Sequence, residues 1–336
     1  MTASSRGTDR LDDLLSSAVE AIGGTPLVNL ERLTQGTSGR VLAKLEYLNP
    51  GGSKKDRIAR RMIEDAKGAG ALSPGQPVVE LTSGNTGIGL AIVCAVKGHP
   101  FVAVMSRGNT PERARMMRAL GAEVVLVDQL RDSMPGKVSG GDLARVEEAT
   151  QVIVRERGAF RADQFVLAAS ALAHEQTGRE ILSQSRDGID AFCDFVGSGG
   201  TFAGCSRAFK AHDSSIACYV VEPERAPALA MGCVTDPDHP IQGGGYSMPE
   251  LPLVDRSFID GFLTVSDEES RETARALART EGIFAGFSSG ANVAAALQLL
   301  RGPHAGGTIA VLINDSGLKY LSTDLWDDPA DEKAGT

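Results

Sequence analysis

The sequence predicts an α/β protein with parallel β-sheets and helices on both sheet faces. Short apolar strands alternate with helices along most of the chain, and such β-α-β units form parallel sheets with right-handed crossovers. Glycine accounts for 39 of the 336 residues, whereas aromatic residues make up 5% of them. Small residues are typical of the tight strand-to-helix turns of this fold class. The length is sufficient for a sizeable core and for more than one lobe.

The predicted elements follow the apolar periodicity of the chain. Strands are predicted at Thr25–Leu30, Val41–Glu46, Val78–Leu81, Phe101–Met105, Val124–Val127, Ala191–Val196, Ile216–Val221 and Ile309–Ile313. Helices are predicted at Leu11–Ile22, from Ile58, at Ile88–Val96, after Thr110 as N-cap, from near Asp142, at Ala171–Ser185, after Thr201, after Ser266 as the first residue of a capping box, and after Gly290. Residues 130–141 read as a flexible insertion and residues 232–255 as a long loop.

The composition argues against several classes of protein. A net charge of −9 and a pI near 5.2 oppose binding to nucleic acid or to an anionic membrane. The N-terminus has no apolar signal core, and no run is long enough to span a membrane, which predicts a soluble cytoplasmic protein. The scattered cysteines show neither zinc-site nor disulfide-frame spacing, so we expect buried thiols and no metal. They are Cys94, Cys193, Cys205, Cys218 and Cys233.

The stretch Asn49–Arg57 joins an apolar strand to a helix. Its Pro-Gly-Gly sequence predicts a turn, which places Lys54 and Lys55 where the helix begins. The partial positive charge of a helix start, together with burial, lowers the pKa of a lysine and frees its amine for Schiff-base chemistry. Considered alone, two adjacent lysines are also typical of a solvated basic helix start.

Three loops rich in Gly, Ser and Thr each join a strand to a helix: Thr82–Thr86, Gly197–Thr201 and Gly286–Gly290. Unpaired N–H groups at such helix starts bind anions without basic side chains. Gly197–Thr201 is the strongest phosphate candidate, because its small residues let the backbone approach a ligand closely. Thr82–Thr86 could hold a carboxylate. Each loop alone is typical of an ordinary turn, but two at carboxyl ends of strands fit the ligand crevice of an open α/β sheet.

Other kinds of site fit the sequence less well. In a dinucleotide fingerprint the third glycine would fall on Phe202, although Glu222 ends the next strand as a ribose-binding acid would. The chain has no Walker loop and no GxSxG nucleophile elbow, and its histidines show no metal spacing. A single-phosphate site is therefore favoured over a dinucleotide site.

Four motifs occur in a fixed order: NPGGSKKDR at residues 49–57, TSGNTG at 82–87, GSGGT at 197–201 and GFSSGA at 286–291. With them the chain resembles, from Ile22 to Thr323, the cysteine synthase / cystathionine β-synthase family of fold type II. The resemblance implies pyridoxal 5′-phosphate as cofactor, held between two α/β domains. It also implies a homodimer.

The resemblance implies specific roles for the residues of these motifs. Lys55, rather than Lys54, falls on the Schiff-base position and would also remove the Cα proton. The other implied cofactor contacts are Asn85 at the 3′-oxygen, Gly197, Ser198, Gly199, Gly200 and Thr201 around the phosphate, and Ser288 at the pyridine nitrogen. The implied substrate contacts are Thr82, Ser83, Thr86 and Gln164 at the α-carboxylate, with Gly244 and Tyr246 in a neighbouring loop.

Some positions depart from the family pattern. Val166–Ser170 replaces the usual Asn-containing segment, which predicts a more apolar pocket wall. Gly243–Tyr246 is close to the cystathionine-synthase version of this loop. Arg225 stands where glycine is common and could bind a phosphorylated leaving group, although a solvated surface arginine is the simpler interpretation.

The implied reaction is β-replacement through α-aminoacrylate on an O-activated L-serine, such as O-acetyl- or O-phosphoserine. A serine hydroxyl at the pyridine nitrogen cannot hold a full proton there as an aspartate would, and this favours loss of a β-leaving group. A sulfur nucleophile would give L-cysteine or a close relative. The alternatives are cystathionine formation, a specialised β-substituted alanine made with an amine, β-elimination of the dehydratase type, or a catalytically silent binding module.

The expected domain organisation follows from the same resemblance. Residues 9–46 and 161–326 form a large cofactor-binding domain, and residues 47–160 form a small mobile domain. Closure of the lobe that carries Thr82–Thr86 would exclude water from the substrate. Residues 1–8 and 327–336 are expected to be flexible tails.

Overall fold

A computed structural model describes residues 14–133, 138–232, 234–237 and 239–327. The predicted tail 1–8, residues 328–336 of the other tail, part of the insertion at 130–141, and Cys233 lie outside these ranges. The strands are β1 Leu27–Asn29, β2 Arg40–Leu45, β3 Val78–Leu81, β4 Phe101–Ser106, β5 Glu123–Val127, β6 Phe160–Arg161, β7 Ala191–Phe195, β8 Ala217–Pro223, β9 Gly261–Val265 and β10 Thr308–Ile313. The α-helices are α1 Lys55–Gly68, α2 Asn85–Lys97, α3 Pro111–Ala119, α4 Gly140–Arg157, α5 Ala169–Gln184, α6 Gly200–His212, α7 Ala228–Met231, α8 Asp267–Ala276 and α9 Phe287–Arg301.

The strands form two sheets. The larger sheet has the order β1-β2-β10-β7-β8-β9, and the smaller has the order β5-β4-β3-β6. All pairings are parallel except that of β1 with β2, which is antiparallel and places β1 at an edge. The predicted parallel α/β architecture is therefore confirmed, with one antiparallel edge strand that the sequence pattern did not indicate.

Each sheet is covered by helices and has its own apolar core. Strands β4 and β10 are buried along their whole length, as expected for parallel strands with both faces covered. One core cluster joins β2, β7 and β10 to α9, and another joins α1, α2 and β4. The strands of the smaller sheet all lie within residues 78–161, and the domain boundaries predicted from the sequence stay a proposal.

Three local predictions differ from the structure. Gly286–Gly290 does not join a strand to a helix, because it comes after α8 and forms the start of α9. The predicted helix Leu11–Ile22 is wrong over residues 14–22, which form bends and turns. Its apolar spacing does not produce one buried face, because Val19 and Ile22 are buried while Leu14 is fully exposed. Thr110 does precede α3, but its hydroxyl donates to the carbonyl of Lys319 at 3.2 Å and does not cap the helix. By contrast, Ser266 and Glu269 form the predicted capping box of α8.

The sheet topology gathers the polar loops at one place. Strands β3, β7 and β10 end at Leu81, Phe195 and Ile313, and each is followed by one of the polar segments considered below. Carboxyl ends of parallel strands are where open α/β sheets bind ligands. Within the described ranges, no helix is long and apolar enough to cross a membrane.

Candidate active site

A cavity of about 430 Å³ lies where the loops of both sheets meet. The predicted residues that line it are Lys55, Asn85, Gly197, Ser198, Gly199, Thr201 and Ser288. Lys54, Asp194, Gln242 and Asn314 also line it, and none of these was given a role from the sequence.

Lys55 is the first residue of α1, and its amine lies among neutral oxygens. The Nζ atom donates to Gln164 Oε1 at 3.1 Å and to Ser198 Oγ at 3.3 Å. Burial, together with the neighbouring charge of Lys54, lowers the pKa of Lys55 to about 7, although Asp194 and Glu80 act in the opposite direction. A large fraction of this amine is therefore neutral, and so nucleophilic, at physiological pH.

Lys54 has a different environment from its neighbour. Its Nζ forms an ion pair with Asp194 at 2.9 Å, and both side chains are almost fully buried. Its backbone N–H donates to the carbonyl of Asn314 at 2.8 Å. The sequence signal for this pair was an aspartate inside the otherwise apolar strand β7, and that signal only gains meaning once β7 and the start of α1 are known to be neighbours.

The loop Gly197–Thr201 leads from β7 into α6 in a conformation that needs glycine. Gly199 has a φ of 81°, in the left-handed region that favours glycine. A side chain at position 197 would collide with the carbonyl oxygen of Gly243, and one at position 200 would collide with Ser170. Small residues thus let the loop pack closely against Gly243 and Ser170. Its C-terminal end forms the start of α6, and the N–H groups of a helix start favour an anion such as phosphate.

The loop Thr82–Thr86 is held mainly by its own hydroxyl groups. Thr82 Oγ1 accepts hydrogen bonds from the N–H groups of Gly84 and Gly87 at 2.9 and 3.0 Å. Ser83 Oγ lies 3.2 Å from the hydroxyl of Tyr246, in the loop Gly243–Tyr246. Thr82 therefore shapes the loop, while Ser83 links it to Tyr246.

Gln164 connects this loop to the lysine. Its Oε1 atom accepts hydrogen bonds from Lys55 and, at 2.8 Å, from Thr86 Oγ1, while its Nε2 faces Glu80 Oε1 at 3.3 Å. Burial raises the pKa of Glu80 to about 8, although Arg161 opposes the shift. In this conformation Gln164 presents an acceptor to the site, whereas the predicted contact with a carboxylate requires its N–H group.

Asn85 is fixed by the C-terminal part of the chain. Its Nδ2 donates to Asp315 Oδ2 at 2.7 Å, and its Oδ1 accepts from Lys319 Nζ at 2.7 Å. Burial lowers the pKa of Lys319 to about 8, against the field of Asp315. The sequence analysis gave no role to Asp315 or Lys319. Their position shortly after the buried strand β10 could have indicated that they lie near the site.

A second cavity, of about 530 Å³, adjoins the first, since Gln242 and Gly243 line both. Ser83, Gly244 and Tyr246 line this second cavity, so the structure brings these predicted substrate residues together. Arg225 lies elsewhere, in an open surface cleft, where it pairs with Asp236 at 2.9 Å. Val166, in the divergent segment, is 58% exposed, and its neighbour Phe165 packs against the ring of Tyr246.

Comparison with known proteins identifies the family. The sequence profile of the pyridoxal-phosphate dependent enzymes matches residues 19–315. The chain belongs to this family. It is 38% identical over 317 residues to cysteine synthase from Staphylococcus aureus, and the match covers 93% of this chain and 97% of that protein.

Solved structures give the same result for this pyridoxal-phosphate dependent enzyme. O-ureido-L-serine synthase has a TM-score of 0.84 and 35% identity, with 96% of this chain and 100% of that chain covered. Cysteine synthase from Entamoeba histolytica has a TM-score of 0.85 and 33% identity, with 97% and 95% covered. The predicted family, fold type II architecture and cofactor are confirmed by these comparisons.

The residues of the first cavity fit pyridoxal phosphate. The glycine loop lines the cavity at the start of α6, where the N–H groups of the helix favour an anion such as a phosphate group. Across the cavity, Lys55 offers an amine with a lowered pKa to an aldehyde. Asn85 and Ser288 supply polar groups on the remaining walls.

Proposed function

We propose that this enzyme catalyses β-replacement on an O-activated L-serine with a sulfur nucleophile, forming L-cysteine or a close relative. The likeness to the Staphylococcus aureus cysteine synthase, over nearly the whole of both chains, supports the reaction class. The observation that carries the proposal is the position of Lys55 Nζ between Ser198 of the glycine loop and Gln164. An amine there can hold a cofactor and reach a substrate bound beside the loop Thr82–Thr86.

Within this proposal, Lys55 carries the cofactor, and Gly197–Thr201 binds its phosphate. Asn85 and Ser288 bind the polar atoms of its ring. When bound, pyridoxal phosphate takes up electron density from the substrate Cα as the α-proton is removed. The lowered pKa of Lys55 suits its Nζ atom to accept that proton near neutral pH.

The loop Thr82–Thr86 would bind the substrate carboxylate. Its N–H groups lie at the start of α2, where the helix dipole favours an anion. The amide of Gln164 would turn so that Nε2 faces the carboxylate, which releases Lys55 from its hydrogen bond to Oε1. Substrate binding and release of the lysine amine are thereby linked through one side chain.

The neighbouring cavity supplies a place for the second reactant. Ser83 and Tyr246 line it, and their contact joins the carboxylate loop to the loop Gly243–Tyr246. A small nucleophile entering there would meet the substrate beside its bound carboxylate. We further infer, from the family resemblance, a cytoplasmic homodimer whose small lobe closes over the substrate.

A second candidate is formation of another β-substituted alanine. It is favoured by the likeness to O-ureido-L-serine synthase, at 35% identity over 96% of this chain. The second cavity, which Tyr246 lines, is where such a nucleophile would enter. Cystathionine formation belongs to the same group of reactions.

A spectroscopic panel tests the proposal. The purified enzyme is expected to absorb as a lysine-bound cofactor, and that band is expected to change rapidly with O-acetylserine or O-phosphoserine. Sulfide should then restore it with release of cysteine, which is quantified by mass spectrometry. A colourless protein would contradict the cofactor assignment. A band that no O-activated serine changes would contradict the substrate class, and restoration by hydroxyurea or homocysteine alone would favour the second candidate.

A further inference from the structure

Asn314 follows β10 and lies in the wall of the first cavity, beside Ser288. Its Nδ2 atom donates to Ser288 Oγ at 3.1 Å. Its backbone N–H donates to Ser289 Oγ at 2.9 Å, and its carbonyl accepts from the N–H of Lys54 at 2.8 Å. Asn314 is 3% exposed. The backbone on both sides of this side chain is thus anchored.

The direction of the Asn314 amide is set by a second asparagine, Asn292. The Oδ1 atom of Asn292 accepts from the N–H of Phe195 at 2.6 Å, and its Nδ2 donates to the carbonyl of Leu312 at 2.8 Å. Backbone groups cannot exchange donor and acceptor roles, so the amide of Asn292 has one orientation. Its Nδ2 atom then faces Asn314 Oδ1 at 3.5 Å, alongside Asp194 Oδ1 at the same distance.

This arrangement determines the role of the serine hydroxyl. Because Asn314 turns its oxygen toward the Nδ2 of Asn292, it turns its own N–H group toward Ser288. Ser288 Oγ must therefore accept this hydrogen bond. A hydroxyl group has one proton, and the proton of Ser288 is left free to point into the cavity that Ser288 lines.

We propose that Asn314 is a positioning residue that makes Ser288 a hydrogen-bond donor to an unprotonated ring nitrogen of the cofactor. This inference rests on the proposed function. A ring nitrogen that accepts a hydrogen bond without taking the proton withdraws less electron density from the substrate Cα. Less of the electron density is then spread into the ring, where a proton could add. Loss of the β-substituent is favoured instead, as β-replacement requires.

The test compares two ligands of the apoprotein: pyridoxal phosphate and its deaza analogue, in which C–H replaces the ring nitrogen. Both carry the aldehyde and the phosphate, so the ratio of their dissociation constants isolates the contact at the nitrogen. The wild-type protein is expected to favour pyridoxal phosphate about tenfold, the usual effect of one hydrogen bond. In Asn314→Asp the carboxylate accepts a hydrogen bond from the Ser288 hydroxyl, so the hydroxyl proton no longer points into the cavity. The ratio of the dissociation constants is then expected to fall close to one.

Two further variants complete the design. Asn314→Leu keeps the approximate volume without either polar atom, and its ratio is expected to lie between those of the wild type and Asn314→Asp. It decides the question if the aspartate variant does not fold. Asn29→Asp makes the same chemical change at an exposed position and is expected to keep the wild-type ratio.

The outcomes separate the two proposals. Wild-type ratios in both Asn314 variants would overturn the positioning role, even if the enzyme makes cysteine. A wild-type ratio near one would overturn it as well, because Ser288 would then not contact the nitrogen as a donor. Failure of the wild-type apoprotein to bind pyridoxal phosphate at all would instead overturn the proposed function.

Discussion

Lys55 and Arg57 lie two residues apart on α1, but their pKa values are shifted in opposite directions. Arg57 donates to both carboxylate oxygens of Glu46, each at 2.7 Å, and to Glu180 at 2.7 and 2.8 Å. Its pKa is raised by these carboxylates despite the effect of burial. Lys55 donates to the neutral oxygens of Gln164 and Ser198 instead, and its pKa falls to about 7.

One helix thus contributes to both the stability and the chemistry of the protein. A buried cation that is matched by carboxylates remains charged and fastens α1 to the rest of the fold. A cation that meets only weak acceptors at the cavity is free to lose its proton. Four substitutions, given in order of decreasing expected effect, test this contrast.

The largest effect is expected from Lys55→Ala. Removing the amine removes both the attachment point of the cofactor and the proposed base, so turnover should fall by at least about 10²–10⁴-fold. The absorbance band of the lysine-bound cofactor should disappear with it. Lys67→Ala, at an exposed lysine of the same helix, is the matched control and should change neither. A Lys55→Ala enzyme that keeps both properties would remove Lys55 from this role.

Arg57→Met is expected to reduce the free energy of unfolding by about 3–5 kcal/mol, because it leaves Glu46 buried without its charged partner. Urea unfolding of the apoprotein measures this loss. Although burial opposes the shift, Arg57 holds the pKa of Glu46 below its ordinary value. The stabilisation is therefore complete above the unfolded-state pKa of Glu46 and is lost as the pH falls through the lowered one. A loss below about 1 kcal/mol would show that the pair is not structural.

Lys54→Met is expected to raise the pKa of Lys55, since it removes a nearby positive charge and leaves Asp194 unneutralised. The neutral amine is the nucleophile, so cofactor capture by the apoprotein should slow below about pH 7 in the wild type. In the variant the midpoint of this pH profile should move upward. Lys54→Arg keeps the charge and should hold the wild-type midpoint; an unmoved midpoint in Lys54→Met would mean that the pair does not act on Lys55.

The smallest effect is expected from Arg61→Ala, one helical turn after Arg57 in α1. Arg61 pairs with Asp65 at 2.7 Å, but both side chains are 43% exposed. Solvent-exposed pairs of this spacing contribute only about 0.3–0.5 kcal/mol. Thermal unfolding should therefore shift by no more than a degree or two. A larger decrease in the unfolding temperature would show that the exposure of a charged side chain on this helix does not predict its contribution to stability.

Much of the site could be predicted because the sequence concentrates it in short motifs. Lys55, Asn85, Ser288 and the glycine loop all reach one cavity. Asn85 and the glycine loop do so because each follows the carboxyl end of a parallel strand. In these segments the local turn chemistry and the function demand the same residues. The buried parallel strands such as β4 and β10 were predicted for a similar reason, since such strands are continuous apolar runs. The strands β6 and β9 were not predicted.

The remaining features depend on contacts between distant segments. Nothing near Lys54 in sequence indicates Asp194, and nothing near Ser288 indicates Asn314. The orientation of the Gln164 amide is set by Glu80, Thr86 and Lys55 together. Sequence periodicity also wrongly predicted a helix over residues 14–22, where tertiary packing buries two apolar side chains without a helix.

Lys319 has a consequence for how the protein is made. Its ammonium holds the carbonyl of Gly51, 268 residues earlier in the chain, and also the side chain of Asn85. The walls of the pocket therefore cannot all come together until residue 319 has emerged from the ribosome. Nascent chains that stop before this lysine would have their early helices and strands but no finished pocket, so coenzyme loading should follow the synthesis of residue 319.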